Sequence, residues 1–215
     1  MSASVVKQEF YDVTEIKDVI ERWAVYRDSY MWDKFRTVWH PDGIMIATWT
    51  GGPFEDFIKI TQDGIPKGLN IQHMLGGSAV EVNGGRAKAI TKFIILQRAT
   101  LEGVLCDVSC YGRQFTLLEK YNGKWVICIR ETIADKDRVD PVDPNAKLVL
   151  DQNILDQFPV EYQYLAYLQT KAGYNVNKDC PRLSGGKALE TLYASGEKWL
   201  QGAQLRDVVN SDYLK

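Results

Sequence analysis

Two histidines and four cysteines in a chain of 215 residues leave few side chains able to hold a transition metal. The cysteines (Cys106, Cys110, Cys128 and Cys180) form no CxxC pair, so neither a zinc site nor a disulfide scaffold is expected. They read as reduced, packed thiols of a cytoplasmic protein. Cationic charge is not in excess either: 26 Lys and Arg stand against 28 Asp and Glu, a formal net charge of -2. Such a surface lacks a basic face for phosphate backbones, which argues against a nucleic-acid partner. No apolar run approaches a membrane span, and the stretch from Met1 to Lys7 lacks a signal peptide's apolar core, so no membrane partner is expected. Gly-rich phosphate loop, GxSxG elbow and dinucleotide fingerprint are all missing, and no cofactor is expected.

What remains is the balance of a globular core, 45% apolar and 25% charged, at a length for one domain or one domain with an appendage. Residues 1–11 read as an N-terminal arm. Asp12-Val13-Thr14-Glu15 has the spacing of a capping box, and a helix is expected from there to about Ser29, with Ile16, Ile20, Trp23 and Arg27 on one face. Trp32 to Trp39 reads as a second helix, stopped by His40-Pro41-Asp42-Gly43, with His40 in a surface turn. Ile44 to Trp49 reads as a strand. Pro53 opens a third helix to about Thr61, and Gly64, Pro66 and Gly68 mark a loop. From Ile71 to Ala134 the chain alternates like long antiparallel strands, with turns at Asn83-Gly84-Gly85, Leu101-Glu102-Gly103 and Asn122-Gly123. Alternation sets Ala89, Thr91, Phe93 and Ile95 on one strand face, the expected pocket lining. It sets Ile90 and Ile94 on the other, where an apolar stripe suggests self-association.

Three helices and a meander give an α+β class, with helices covering one face of a curved sheet. Residues 12–135 are expected to form this domain. Residues 136–144 read as a charged, Pro-punctuated linker. The remainder to residue 215 reads as a helical extension, with helices near 160–172 and 186–201 that must dock on the domain or on a partner.

Two stretches stand out chemically. Helix one ends on Arg27 and Asp28 beside its apolar face, an unusual place for charges unless a polar pocket adjoins it. Asn70-Ile71-Gln72-His73-Met74-Leu75-Gly76-Gly77 embeds a histidine among apolar and small residues at a strand start. A lone histidine has a plain structural explanation, but an imidazole beside a cavity can move protons at neutral pH.

Trp23-Ala24 with Asp28-Ser29 and Trp32-Asp33, then Gln72-His73-Met74-Leu75-Gly76-Gly77, then Gly123-Lys124-Trp125 and Arg130, resemble in order the motifs of the SnoaL-like group of the NTF2-like superfamily. Its enzymatic members include scytalone dehydratase. The resemblance spans roughly residues 12–135 and implies a cone-shaped half barrel with a pocket between sheet and helices. It also implies that Asp28 and His73 are the catalytic pair, and that the protein forms a homodimer or homotrimer. The dehydratase pattern is not kept throughout. Arg27 stands where it has a tyrosine, and a second tyrosine falls near Ala47. Its second active-site histidine falls near Gln97, and its asparagine near Gln114. The dyad therefore carries over while the groups that bind scytalone do not.

A carboxylate on one imidazole nitrogen fixes the tautomer and frees the other nitrogen to take a proton. The expected activity is a cofactor-independent, dehydratase-like lyase acting on a small aromatic or alicyclic hydroxy-carbonyl compound. An isomerase, a carbon–carbon lyase, or a non-catalytic ligand-binding module are the alternatives. Arg27 is either an anion-binding group or half of an ion pair. Gln97 and Gln114 are candidates to orient a substrate oxygen, and Tyr26, Trp49 and Phe93 to line the pocket. The neighbouring carboxylate is expected to hold His73 at or above its ordinary pKa.

Overall fold

The computed structural model describes residues 3–65 and 70–214, so Pro66 and Gly68 of the expected loop lie outside them. Helix α1 (Ala3–Asp28) and helix α2 (Trp32–Arg36) lead into strands β1 (Trp39–Ala47) and β2 (Thr50–Pro53), then helix α3 (Phe54–Gly64). Four long strands follow: β3 (Asn70–Asn83), β4 (Arg86–Leu101), β5 (Val104–Tyr121) and β6 (Lys124–Pro141). They form one sheet in the order β2-β1-β6-β5-β4-β3. All neighbours are antiparallel except β1 and β6, which run parallel. The three hairpins turn where the glycines stand. At the last, φ is 49° for Asn122 and 79° for Gly123, the left-handed pair that suits the twist of the flanking strands. This is the α+β class expected from the sequence.

The stripe Ile16, Ile20, Trp23 and Ala24 of α1 is buried against Ala87, Ala89, Leu118 and Ile127 on the inner sheet face. The second helix stops at Arg36 and the first strand already starts at Trp39, where the sequence pattern carries the helix to Trp39 and begins the strand at Ile44. Two further boundaries differ from the expectation. The segment read as an arm is helical from Ala3, because Asp12 is no helix cap. Its carboxylate instead takes the ammonium of Lys120, at 2.5 Å, and the indole N–H of Trp125, at 2.9 Å, across to the sheet. Thr14 donates back to the Phe10 carbonyl within the helix, at 2.8 Å. The supposed linker is also partly strand: residues 136–141 are the end of β6, paired with Cys106–Tyr111 of β5. Its charges have uses that a linker would not need. Asp137 turns inward and accepts the backbone N–H groups of Tyr164 and Leu165, at 2.7 and 2.8 Å.

Short helix α4 (Gln152–Leu155), α5 (Gln163–Lys171), α6 (Lys187–Leu200) and α7 (Leu205–Val208) follow, before a 3-10 turn at Ser211–Leu214. Helix α5 covers the other half of the inner face. Its Leu165, Ala166 and Leu168 pack on Leu101, Cys106, Val108 and Cys110. Helix α6 crosses the outer face, where Leu189, Leu192 and Trp199 bury Phe115, Leu117 and Ile129. Ile90, expected between subunits, packs against this same outer cluster within the chain. Ile94 is half-buried on the stretch of outer face beyond it. Helix α6 is fixed at its end by Arg86, whose guanidinium lies 4.0 Å over the Trp199 ring and donates to the Trp199 carbonyl. Lys88 binds Glu197 at 2.5 Å and Glu81 at 3.1 Å.

The contact of α6 with the sheet depends on a missing side chain. A Cβ at Gly196 would stand 2.6 Å from Phe115 Cζ and 2.9 Å from Lys88 Cδ. Gly196→Val therefore overpacks this seam and is expected to lower unfolding free energy by about 1–3 kcal/mol, read as a reduced urea midpoint at unchanged slope. An unchanged midpoint would mean that α6 does not seat on the sheet as described.

Candidate active site

The two helix layers on the inner face do not meet. Along β4, Ala87 and Ala89 belong to the α1 side and Ala99 and Leu101 to the α5 side, and between them Ile95 and Gln97 line a cavity; of the lining expected from alternation, Ala89 is core instead and the Thr91 hydroxyl pairs with Ser78. The cavity walls include Trp23, Met45, Trp49 and Phe57, and its polar groups come from Arg27, His73, Gln97, Gln114, Thr132 and Gln169. Its volume is about 30 Å³, the share of a single water molecule.

Asp28 is the last residue of α1, and His73 lies in the first turns of pleat of β3. The carboxylate spans the gap between these elements with both oxygens. Oδ1 sits 2.8 Å from His73 Nδ1, and Oδ2 accepts the His73 backbone N–H at 2.5 Å. A carboxylate at Nδ1 makes that nitrogen the N–H, leaving Nε2 as the basic one. The ring is wedged between aromatic neighbours, Trp23 edge-on at 5.2 Å and Phe93 at 6.5 Å between centroids.

Ionisation follows from burial and charge. Burial alone would raise the Asp28 carboxyl, but the His73 ring and backbone N–H and the Arg27 charge outweigh it and hold it below the usual carboxylate value. For His73 the outcome is opposite to the sequence expectation. Burial pushes the imidazole below its ordinary value, Asp28 recovers only part of this, and Arg27 and Arg130 add to the depression. The ground state is thus a neutral imidazole beside an ionised carboxylate.

Of the two expectations for Arg27, the ion pair is present. The residue is buried, its Nη1 donates to Asp28 Oδ1 and to the Ile71 carbonyl at 3.2 Å each, and it lines the cavity with its Nε unpaired. Gln97 and Gln114 both line the cavity, and each has a buried, unpaired amide oxygen. The Gln114 amide N–H₂ is spent on Thr132 Oγ1 at 3.2 Å. Trp49 lines the cavity as expected. Tyr26 and Phe93 do not: Tyr26 packs at the border of the α1 cluster, and Phe93 lies behind the His73 ring. His40, placed in a surface turn by the sequence, is instead within β1, its Nε2 3.2 Å from Glu119 and its ring against Tyr121.

Three contributors were not foreseen. Gln169 comes from α5, far along the chain, and accepts the Thr48 hydroxyl at 2.8 Å inside the cavity wall. Tyr174, just beyond that helix, packs its ring tilted against Trp49, with centroids 4.9 Å apart. Arg130 is wholly buried behind Trp23, its guanidinium 4.1 Å from that ring, with Nε and Nη2 unpaired. Burial lowers its pKa to about 9, so it remains a cation at neutral pH. The polar character of Gln169 on an otherwise buried helix face was the one available signal. Among the described residues, no three His, Cys, Asp or Glu side chains gather as a metal site.

Comparison with known proteins agrees with this architecture. A structure of a putative scytalone dehydratase from Novosphingobium aromaticivorans superposes with a TM-score of 0.53 at 18% identity, covering 67% of this chain and 99% of that one. A hexachlorocyclohexane dehydrochlorinase of type 2 superposes at 0.54 with 11% identity, covering 66% of this chain and 97% of its own. At such identities the likeness is one of fold. Pea pathogenicity protein 2 of Fusarium vanettenii is 34% identical over 201 residues, 89% of this chain and 86% of that protein. The family model of the SnoaL-like domain matches residues 8–131. With more than half its length under that model, the chain belongs to the SnoaL-like family.

Proposed function

We propose that the protein is a cofactor-independent lyase in which His73, oriented by Asp28, removes a proton from carbon next to a carbonyl. The observation that carries this reading is the two-oxygen grip of Asp28 on His73. One bond fixes the tautomer, the other locks the strand to the helix, and the free Nε2 belongs to a residue that lines the cavity. A structural histidine needs a partner, but it needs neither an adjoining cavity nor unpaired donors and acceptors around it.

The step balances with the chain's own groups. Neutral Nε2 takes the carbon-bound proton, and the electron pair left behind moves into an enolate. Arg27, a lining residue whose Nε is buried and unpaired, offsets the charge developing on oxygen. The enolate then expels a β-hydroxyl group, which leaves as water by taking the proton back from the imidazolium. The amide oxygens of Gln97 and Gln114 accept from substrate hydroxyls, and Trp23, Trp49 and Phe57 offer flat apolar walls to a carbocyclic body. Since the cavity is about 30 Å³, such a substrate enters by parting the wall, where the Thr48–Gln169 hydrogen bond and the Trp49–Tyr174 ring contact cross the seam. The second reading is a non-catalytic binding module on the same fold.

The test uses cyclic aryl and alicyclic β-hydroxy ketones in heavy water, with mass spectrometry reading loss of water or uptake of deuterium beside the carbonyl. His73→Gln is expected to lower the rate by about 10²–10⁴-fold. Asp28→Asn should cost nearly as much and the double variant little more, because groups acting as a unit lose their effect together. If no ketone exchanges or eliminates, and the variants bind ligands like the parent, the binding-module reading replaces this one.

The pH profile gives a second check. The base must be neutral, and burial lowers the pKa of His73, so the acidic limb of kcat/KM should lie below the ordinary histidine value of 6.5. Removing the anion by Asp28→Asn disfavours the imidazolium further, so NMR titration of the His73 ring should move to still lower pH in that variant. A transition above 6.5 would mean that the carboxylate outweighs burial.

A further inference from the structure

The outer face of the sheet carries a second cleft, separated from the dyad by the sheet itself. It lies where α6 and the segment around residues 177–181 overhang β1 and β6, with a volume of about 250 Å³. The floor is apolar, with Ile46 and Ile129, and Glu131 stands among these residues. Its neighbours on the same strand face, Ile129 and Ile133, are core. Burial is the one influence on its carboxyl, which is pushed up to about 7, and no hydrogen bond or ion pair reaches it among the described residues.

The rest of the lining is rich in acceptors. The Ser195 hydroxyl donates to the Leu192 carbonyl at 2.7 Å and so presents lone pairs. Asp179 adds a second carboxylate at the rim, largely exposed and 3.8 Å from Arg182. Lys187 is the cation among the lining residues. Lys187 makes no ion pair with Glu131, so in a cleft with an apolar floor and acceptors on its walls the carboxyl at the base stands without a matched cation. An ionised carboxyl left alone in such surroundings is costly, and a bound cation would remove that cost.

We propose that this cleft binds a small organic cation, an alkylammonium whose charged end pairs with the Glu131 carboxylate and whose hydrocarbon chain lies on Ile46 and Ile129. The volume equals roughly eight water molecules at about 30 Å³ each, which suits a short alkylamine. Binding requires Glu131 in its ionised form, so affinity rises with pH through the neutral range. The charged and titratable groups around it are Lys187 from α6, Asp179, Cys180 and Arg182 from the preceding segment, and Tyr213 from the C-terminal turn. Strands β1 and β5 place only Ile46 and Phe115 opposite Glu131.

Calorimetric titration of the full chain with n-butylammonium chloride tests this, with n-butanol as the uncharged control. Saturable binding of the ammonium and none of the alcohol is expected. Glu131→Gln should weaken the ammonium by about tenfold or more, since Gln keeps the shape and loses the charge. The unmodified protein supplies a check that needs no variant: lowering pH from about 8 to about 6 should weaken binding about tenfold, as a carboxyl with a pKa of about 7 gains its proton. His73→Gln should bind the probe as the parent does, which separates this cleft from the cavity of the dyad. Failure of n-butylammonium to bind, equal binding to Glu131→Gln, or a response lost in His73→Gln would each overturn the proposal.

Discussion

The site hangs on a carboxylate placed where a helix least favours one. Asp28 ends α1, where the helix dipole is negative, a placement that costs about 0.3–1 kcal/mol. Two charge-assisted hydrogen bonds to His73, worth about 1.5–3 kcal/mol each, more than offset this. The same pair of bonds sets the distance between helix and sheet at one end of the inner face. Immediately after it, the register of β3 on β4 shifts between Leu75 and Ser78, at Gly76-Gly77. The bulge lets the strand bend away once the histidine has been delivered to the cavity. A helix end, a strand start and a glycine bulge thus serve one imidazole.

The cavity exists because the inner face is covered by two layers that stop short of each other. The α1–α3 layer reaches Ala89 and Leu118, and α5 takes over at Ala99 and Val108. Between them lie Gln97, Gln114 and Thr132, polar residues on three successive strands that neither layer buries against carbon. Packing alone would favour apolar residues there, since each unpaired buried amide oxygen costs about 1–3 kcal/mol. The C-terminal segment is consequently part of the site: its α5 supplies Gln169, and its α6 stiffens the sheet from behind. The outer face that an isolated SnoaL-like domain would leave bare at Ile90 and Phe115 is covered here by the chain's own helix.

Much of the frame was legible in the sequence because local chemistry dictates it. The turn residues at Gly84-Gly85, Glu102-Gly103 and Asn122-Gly123 mark the hairpins where they form, and the helical spacing of Ile16, Ile20 and Trp23 names the buried face of α1. Asp28 and His73 were found through motif order, and the structure brings them together. Three misreadings share one cause, a polar side chain whose partner lies far along the chain. Asp12 looked like a helix cap but serves Lys120 and Trp125, 108 and 113 residues on. Asp137 looked like linker but receives the start of α5. Gln169 is polar on an otherwise buried helix face, but that signal does not say where its partner lies, since Thr48 is 121 residues away. The direction of the His73 shift was also beyond sequence, since it depends on how deeply the ring is buried and on two arginines, one of them on the last strand.

That last strand carries a further regularity. Arg130 and Glu131 are consecutive on β6, so alternation sends one to each face of the sheet. Both reach regions where their neighbours are carbon: Arg130 lies over the Trp23 ring, and Glu131 among Ile46 and Ile129. Burial drives both toward neutrality, to about 9 for the arginine and about 7 for the glutamate. These two charges of opposite sign, one per face, do not form a salt bridge; Arg130 is held by the Trp23 ring and by its bond to Thr116 Oγ1 at 3.2 Å, whereas no such partner reaches Glu131 among the described residues. The flanking Ile129 and Ile133 show that this strand accepts apolar side chains on its outer face without difficulty. Each charge therefore needs an explanation from the space in front of it. On the inner face that space holds the imidazole, which Arg130 helps to keep neutral, while the outer face has only the cleft before Glu131.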